Sequence, residues 1–218
     1  MGIATLYLII AFLIDFPFHE ASHAFVADRL GDPTARLQGR LSLNPLRHLD
    51  RLGTLLLLVI GLGWGKPVPV DAMRLRYGPK VGMALVGAAG PAANLLLALL
   101  FSLPLRLHWL PFRPTRIAGI PFSAGELVAM IVWLNLALAV FNLIPFGPLD
   151  GSRIIGAILP DRLFFGLARF ELVALGIFFA LLVAERFAGT GLLGNLLFPP
   201  IKMLWTSLTG FQFTPFGV

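Results

Sequence analysis

Cysteine is absent from all 218 residues. That excludes disulfides, cysteine-bound zinc and a thiol nucleophile, so any metal must be held by histidine and carboxylate groups. Charge is scarce as well. Only 13% of residues are Asp, Glu, Lys or Arg, against 57% hydrophobic, which excludes an ordinary soluble domain. The composition predicts one integral-membrane domain over residues 1–218, surrounded by a lipid bilayer. A net charge of +6 invites a nucleic-acid reading, but the basic residues flank apolar spans in the positive-inside manner, and no nucleic-acid partner is expected. The N-terminus lacks the basic region of a signal peptide, so the first apolar run is read as a retained helix. There is no internal repeat and no low-complexity tract.

What is present is concentrated in residues 15–24, Asp15-Phe16-Pro17-Phe18-His19-Glu20-Ala21-Ser22-His23-Ala24. His19 and His23 are four apart, so on a helix both imidazoles leave one face and can reach one metal ion. Glu20 stands beside the first of them and can accept a proton without ligating the metal. Ionisable groups at hydrocarbon depth are costly and mark function.

The first span covers residues 2–28, with Pro17 expected to kink or loosen it just before His19. Asp15 lies roughly 12 Å along the helix from His23, too far to share a metal, and is read as a buried support. Residues 29–51 are polar and basic, carrying Arg29, Arg36, Arg40, Arg47 and Arg51, then His48 and Asp50. Residues 52–63 are apolar but shorter than the about 20 needed to cross, so they read as re-entrant or interfacial. Trp64-Gly65-Lys66-Pro67-Val68-Pro69-Val70 alternates proline with valine and reads as an extended edge. Residues 81–105 form a clear span whose small residues allow close helix approach, with Asn94 its one amide. A Pro-rich loop is expected at 106–122. The next span, 127–146, holds Asn135 and Asn142 and ends in a Pro/Gly-rich bend before Asp150, which could also cap a helix over 152–159. Further spans are expected at 163–185 and 187–209. The fold class is therefore an all-α polytopic membrane protein, with about five transmembrane helices plus a re-entrant or extended segment between the first and second full spans.

If residues 52–63 do not cross, the first span and the 127–146 span run in the same direction. Asp150 then emerges at the depth of His19 and His23. Three carboxylates, Asp15, Asp50 and Asp150, come into question as a third ligand; Asp15 is too far along its helix, which leaves Asp50 and Asp150. On this topology residues 28–80 and 146–170 share one side and carry 9 and 3 basic residues, against 4 in the 106–122 loop and at Arg186. The basic side is expected to be cytoplasmic.

Taken together, His19-Glu20-x-x-His23 and Asn142…Pro145…Leu149-Asp150-Gly151 resemble the site-2 protease family of intramembrane zinc metalloproteases, peptidase family M50. The Gly39–Pro45 segment, Trp64–Val70 and Gly90-Pro91-x-x-Asn94 are similar to its short prokaryotic branch, which lacks a PDZ domain. One departure is Gly147, where a proline often precedes Pro148. The resemblance covers residues 15–152. It implies Zn2+ held by His19, His23 and Asp150, with Glu20 as general base. It implies a catalytic core at 2–151 followed by C-terminal helices at 152–218. It also implies that Asn94 lies near the active site and that substrate enters as an extended strand near Val68 and Val70. Asn142 and His48 are further candidates for substrate contact.

The implied activity is hydrolysis of a peptide bond in or near a transmembrane helix of a membrane-protein substrate, in a prokaryotic cytoplasmic membrane. Two other readings of the same cluster are a metal or proton transporter and a zinc-bearing membrane scaffold. Transporters often show repeated halves, which this sequence lacks, and a structural metal site has no need of a base such as Glu20.

Overall fold

A computed structural model of the chain describes residues 2–60, 65–110, 112, 115–117, 120–169, 171–189 and 191–212. Residues 61–63 of the expected re-entrant stretch, and Trp64, lie outside these. Among the described residues, three helices are long and apolar enough to cross a bilayer. They are α1 (Ile3–Arg29), α4 (Gly78–Arg106) and α5 (Ala124–Asn142). Between α1 and α4 come the short α2 (Thr34–Leu37) and α3 (Arg51–Ile60). A two-stranded antiparallel hairpin, β1 (Thr115–Ile117) and β2 (Ile120–Phe122), precedes α5. After α5 come α6 (Asp150–Gly156), α7 (Asp161–Arg169), α8 (Glu171–Ala188) and α9 (Leu192–Thr209).

Among the described residues the chain is mostly helical, and the hairpin stands where a Pro-rich loop was expected. The expected count of about five spans resolves into three helices of full length and two C-terminal helices of 18 residues each. The expected 163–185 span is covered by α7 and α8, which lie on either side of position 170, outside the described residues. Asn195, Pro199, Pro200 and Lys202 dilute the apolar character of α9.

α1 runs through Pro17 without ending and stops at Leu30, where Gly31 takes a positive φ of 106°. α4 lies antiparallel to it, because His19 of α1 meets Asn94 while His23, one turn on, meets Val86. α5 lies parallel to α1. Tyr7 Oη accepts from the Ser123 N–H at 2.6 Å, and the rings of Tyr7 and Phe122 meet edge to face. Ser123 caps α5 by accepting from the Glu126 N–H. Tyr7, Ala11, Met130 and Ile131 fill the α1–α5 seam. Ala98, Leu105, Val132, Leu136, Ile201 and Trp205 join α4, α5 and α9.

α3 is described over 10 residues, Arg51–Ile60, about 15 Å of helix. A β-bridge pairs Leu49 with Gly65, and the Lys66 N–H donates to the His48 carbonyl at 2.8 Å. The two ends of this segment therefore meet, and the chain returns to the side it left. The parity expected from the sequence follows: the C-terminal ends of α1 and α5 face the same side.

Candidate metal centre

α1 brings His19 and His23 to one face, and both are buried. Their Nε2 atoms lie 3.1 Å apart. Asp150 arrives from the start of α6, and its Oδ2 lies 3.2 Å from each Nε2. The return from α5 to α6 is tight at Gly151, where a β-carbon would collide with the carbonyls of Leu143 and Ile144. Gly90 of α4 gives the imidazoles their room: a β-carbon there would stand 2.5 Å from His19 Cε1.

The hydrogen bonds fix which nitrogens carry protons. The Ile131 carbonyl can only accept, so Asn135 presents Nδ2 to it at 2.9 Å. Asn135 Oδ1 then accepts from Asn94 Nδ2 at 2.7 Å. That leaves Asn94 Oδ1 to accept from His19 Nδ1–H at 2.6 Å. The Val86 carbonyl accepts from His23 Nδ1–H at 2.7 Å. Each imidazole therefore turns a bare Nε2 inward. Asp150 Oδ2 is buried without a hydrogen-bond partner. Two lone pairs and a carboxylate oxygen converge with no proton to share, which suits a cation. Their separations also suit zinc, since bonds of about 2.0–2.1 Å in tetrahedral geometry give ligand edges of about 3.3 Å. Among the described residues, His19, His23 and Asp150 form a group able to hold a metal ion.

The other candidates are distributed unevenly. Asn94 is fully buried and belongs to the centre. Asp15 is fully buried one turn before His19, with its carboxyl beside Asn135. Asp50 caps α3, its Oδ1 accepting from the Gly53 N–H at 2.8 Å. Asp150, by contrast, makes no side-chain cap on its helix. Asn142 donates to the Leu138 carbonyl of its own helix. Val68 is buried against Ala24 and Ala35, with Val70 beside it. His48 is fully buried and donates from Nε2 to the Ser42 carbonyl. Burial, helped by the charge of Arg40, holds its imidazole below the usual histidine range.

Sequence reasoning did not single out two residues of this neighbourhood. Asn135 supports Asn94, and its signal was an amide in an uncharged span. Arg40 is 2% exposed and lies 4.0 Å from Glu20 Oε2. In the sequence it was one arginine of a basic loop.

Comparison with known proteins agrees with this chemistry. The description "Peptidase family M50" matches residues 116–184. The chain is 43% identical over 155 residues to "Putative zinc metalloprotease YwhC" of Bacillus subtilis, covering 71% of this chain and 69% of that protein. It is 35% identical over 153 residues to "Putative zinc metalloprotease Rip2" of Mycolicibacterium smegmatis, covering 68% of this chain but 56% of the relative. Rip2 of Mycobacterium tuberculosis is 33% identical over 147 residues, covering 66% of this chain and 54% of the relative. The chain thus spans about two thirds of YwhC and just over half of the Rip2 proteins. No solved structure matches it significantly. Identity at the level of YwhC, over that share of both proteins, makes the chain a member of peptidase family M50, the site-2 proteases, and a zinc metallopeptidase of the membrane.

Proposed function

We propose that this peptidase hydrolyses a peptide bond in or near a transmembrane helix of a membrane-protein substrate, with His19, His23 and Asp150 holding the zinc. The observation that carries the reading is the convergence of two bare imidazole nitrogens and one unpartnered carboxylate oxygen beside Glu20, at the end of a membrane-spanning helix. Zinc, when bound, supplies a Lewis acid that polarises a carbonyl and makes water a nucleophile near neutral pH. Glu20 accepts the proton of that water and returns it to the leaving amine. Asn94 and Val86 keep both imidazoles in the ligating tautomer.

A helical substrate hides its carbonyls, so it must unwind before it can be cut. The extended stretch through Val68 and Val70 offers an edge against which it can do so. The catalytic unit is residues 2–151, with 152–218 as supporting helices. The basic loops beside the centre support a position near the cytoplasmic face. The bacterial source of the relatives supports a prokaryotic cell membrane. The test is co-expression with candidate membrane-protein substrates, comparing wild type with Glu20→Gln. Cleavage by wild type and trapping of uncut substrate by the variant support the reading. Equal cleavage by both overturns it.

A further inference from the structure

Arg40 carries a charge at 2% exposure. A guanidinium stripped of water must find acceptors for its N–H groups, and a rigid fork finds them best on fixed backbone. Nη1 donates to the Pro67 carbonyl at 3.1 Å. Nη2 donates to the Lys66 carbonyl at 2.5 Å and faces Nδ1 of His48 at 3.4 Å. The same Nη2 lies 4.0 Å from Glu20 Oε2. His48 gives its one proton to the Ser42 carbonyl at 2.7 Å, so its Nδ1 is the lone pair that faces Arg40. One side chain thus contacts the loop after α2 and the stretch at 66–67, and comes within 4.0 Å of the carboxylate of α1. Pro67 and Pro69 have no N–H with which to anchor that stretch to a neighbour, so beyond the Lys66 N–H, which meets the His48 carbonyl, its carbonyls carry the contact to Arg40.

We propose that Arg40 is a positioning residue for the peptidase reaction, setting the carboxylate of Glu20 and the 66–70 stretch in fixed relation to one another. His48 serves by orienting Arg40 and neither binds the metal nor touches substrate. The inference rests on the proposed role of Glu20 and on substrate lying along 66–70. Lysine cannot replace Arg40, because one ammonium cannot span two carbonyls, an imidazole and a carboxylate.

The experiment compares wild type, Arg40→Lys, Arg40→Gln and Glu20→Gln, with labelling measured in a second set that also carries Val68→Cys. Three quantities are measured: zinc per chain, kcat and KM on a solubilised transmembrane peptide, and the rate of maleimide labelling. Zinc should stay at the wild-type ratio in every variant. Both Arg40 variants should lose on the order of 100-fold in kcat/KM, with KM rising as well as kcat falling, as expected for misplacement near 1 Å. Val68→Cys should label several-fold faster in both Arg40 variants, and at the wild-type rate in Glu20→Gln. Unchanged labelling, lost zinc, or faster labelling with unchanged KM would each overturn the proposal. If wild type and Glu20→Gln cleave alike, the catalytic reading fails, while labelling still decides whether Arg40 holds the 66–70 stretch.

Discussion

A β-carbon on Gly90 would occupy the space now taken by Nε2 of His23. The helix that carries Gly90 therefore sets the floor of the metal centre, although it contributes no charged group to it. Gly90→Ala should push both imidazoles off the common point and lower zinc affinity by about 10-fold or more, comparable to losing a supporting contact. Competitive zinc titration of folded, helical protein checks it. Wild-type affinity in this variant would mean that α4 stands farther from α1 than the structure has it.

Asp50 and Asp150 make a matched pair for testing. Asp150→Asn should weaken zinc binding by about 10–100-fold. Asp50→Asn should cost at most about 1 kcal/mol of helix capping and leave zinc in place. Zinc titration and thermal unfolding of the two variants separate these effects. A reversal, with metal lost only from the Asp50 variant, would make Asp150 a structural residue.

Glu20→Gln keeps the shape of the side chain and removes the base. Zinc content measured by mass spectrometry should stay at the wild-type ratio while cleavage disappears. His19→Ala and His23→Ala should lose zinc and cleavage together. Zinc lost from Glu20→Gln would identify Glu20 as a ligand instead.

The amide chain from Ile131 through Asn135 and Asn94 to His19 predicts a graded effect. Asn94→Leu removes the acceptor of the His19 proton and should lower zinc affinity on the order of 10–100-fold. Asn135→Leu acts one step farther away and should cost less. Equal loss, or none, would show that the tautomer of His19 is held by some other group.

Because the chain has no cysteine, single introduced cysteines report sidedness without background. Positions in 36–47 and 153–162 should react with an impermeant reagent from the same, cytoplasmic, side, and positions in 112–118 from the other. Reaction of the first two regions from opposite sides would break the proposed orientation and separate Asp150 from the histidines.

The centre was legible where it depends on spacing. His19 and His23 share a helical face by periodicity alone. Asp150 could be assigned to their depth by asking how many times the chain crosses. Residues that act through burial were not legible. Nothing in the sequence separates Arg40 from Arg36 or Arg47, yet only Arg40 of these three is buried. Asn135 read as one polar residue in an apolar span, because its partner lies on another helix. The hairpin at 115–122 was hidden by prolines that usually exclude strands.

The pairing of Leu49 with Gly65 brings the two feet of the α3 segment together. The number of residues between them is thereby uncoupled from the orientation of everything that follows. Insertions or deletions between the two feet leave α4, α5 and Asp150 facing as they do. This makes α3 a practical site for grafting a reporter sequence.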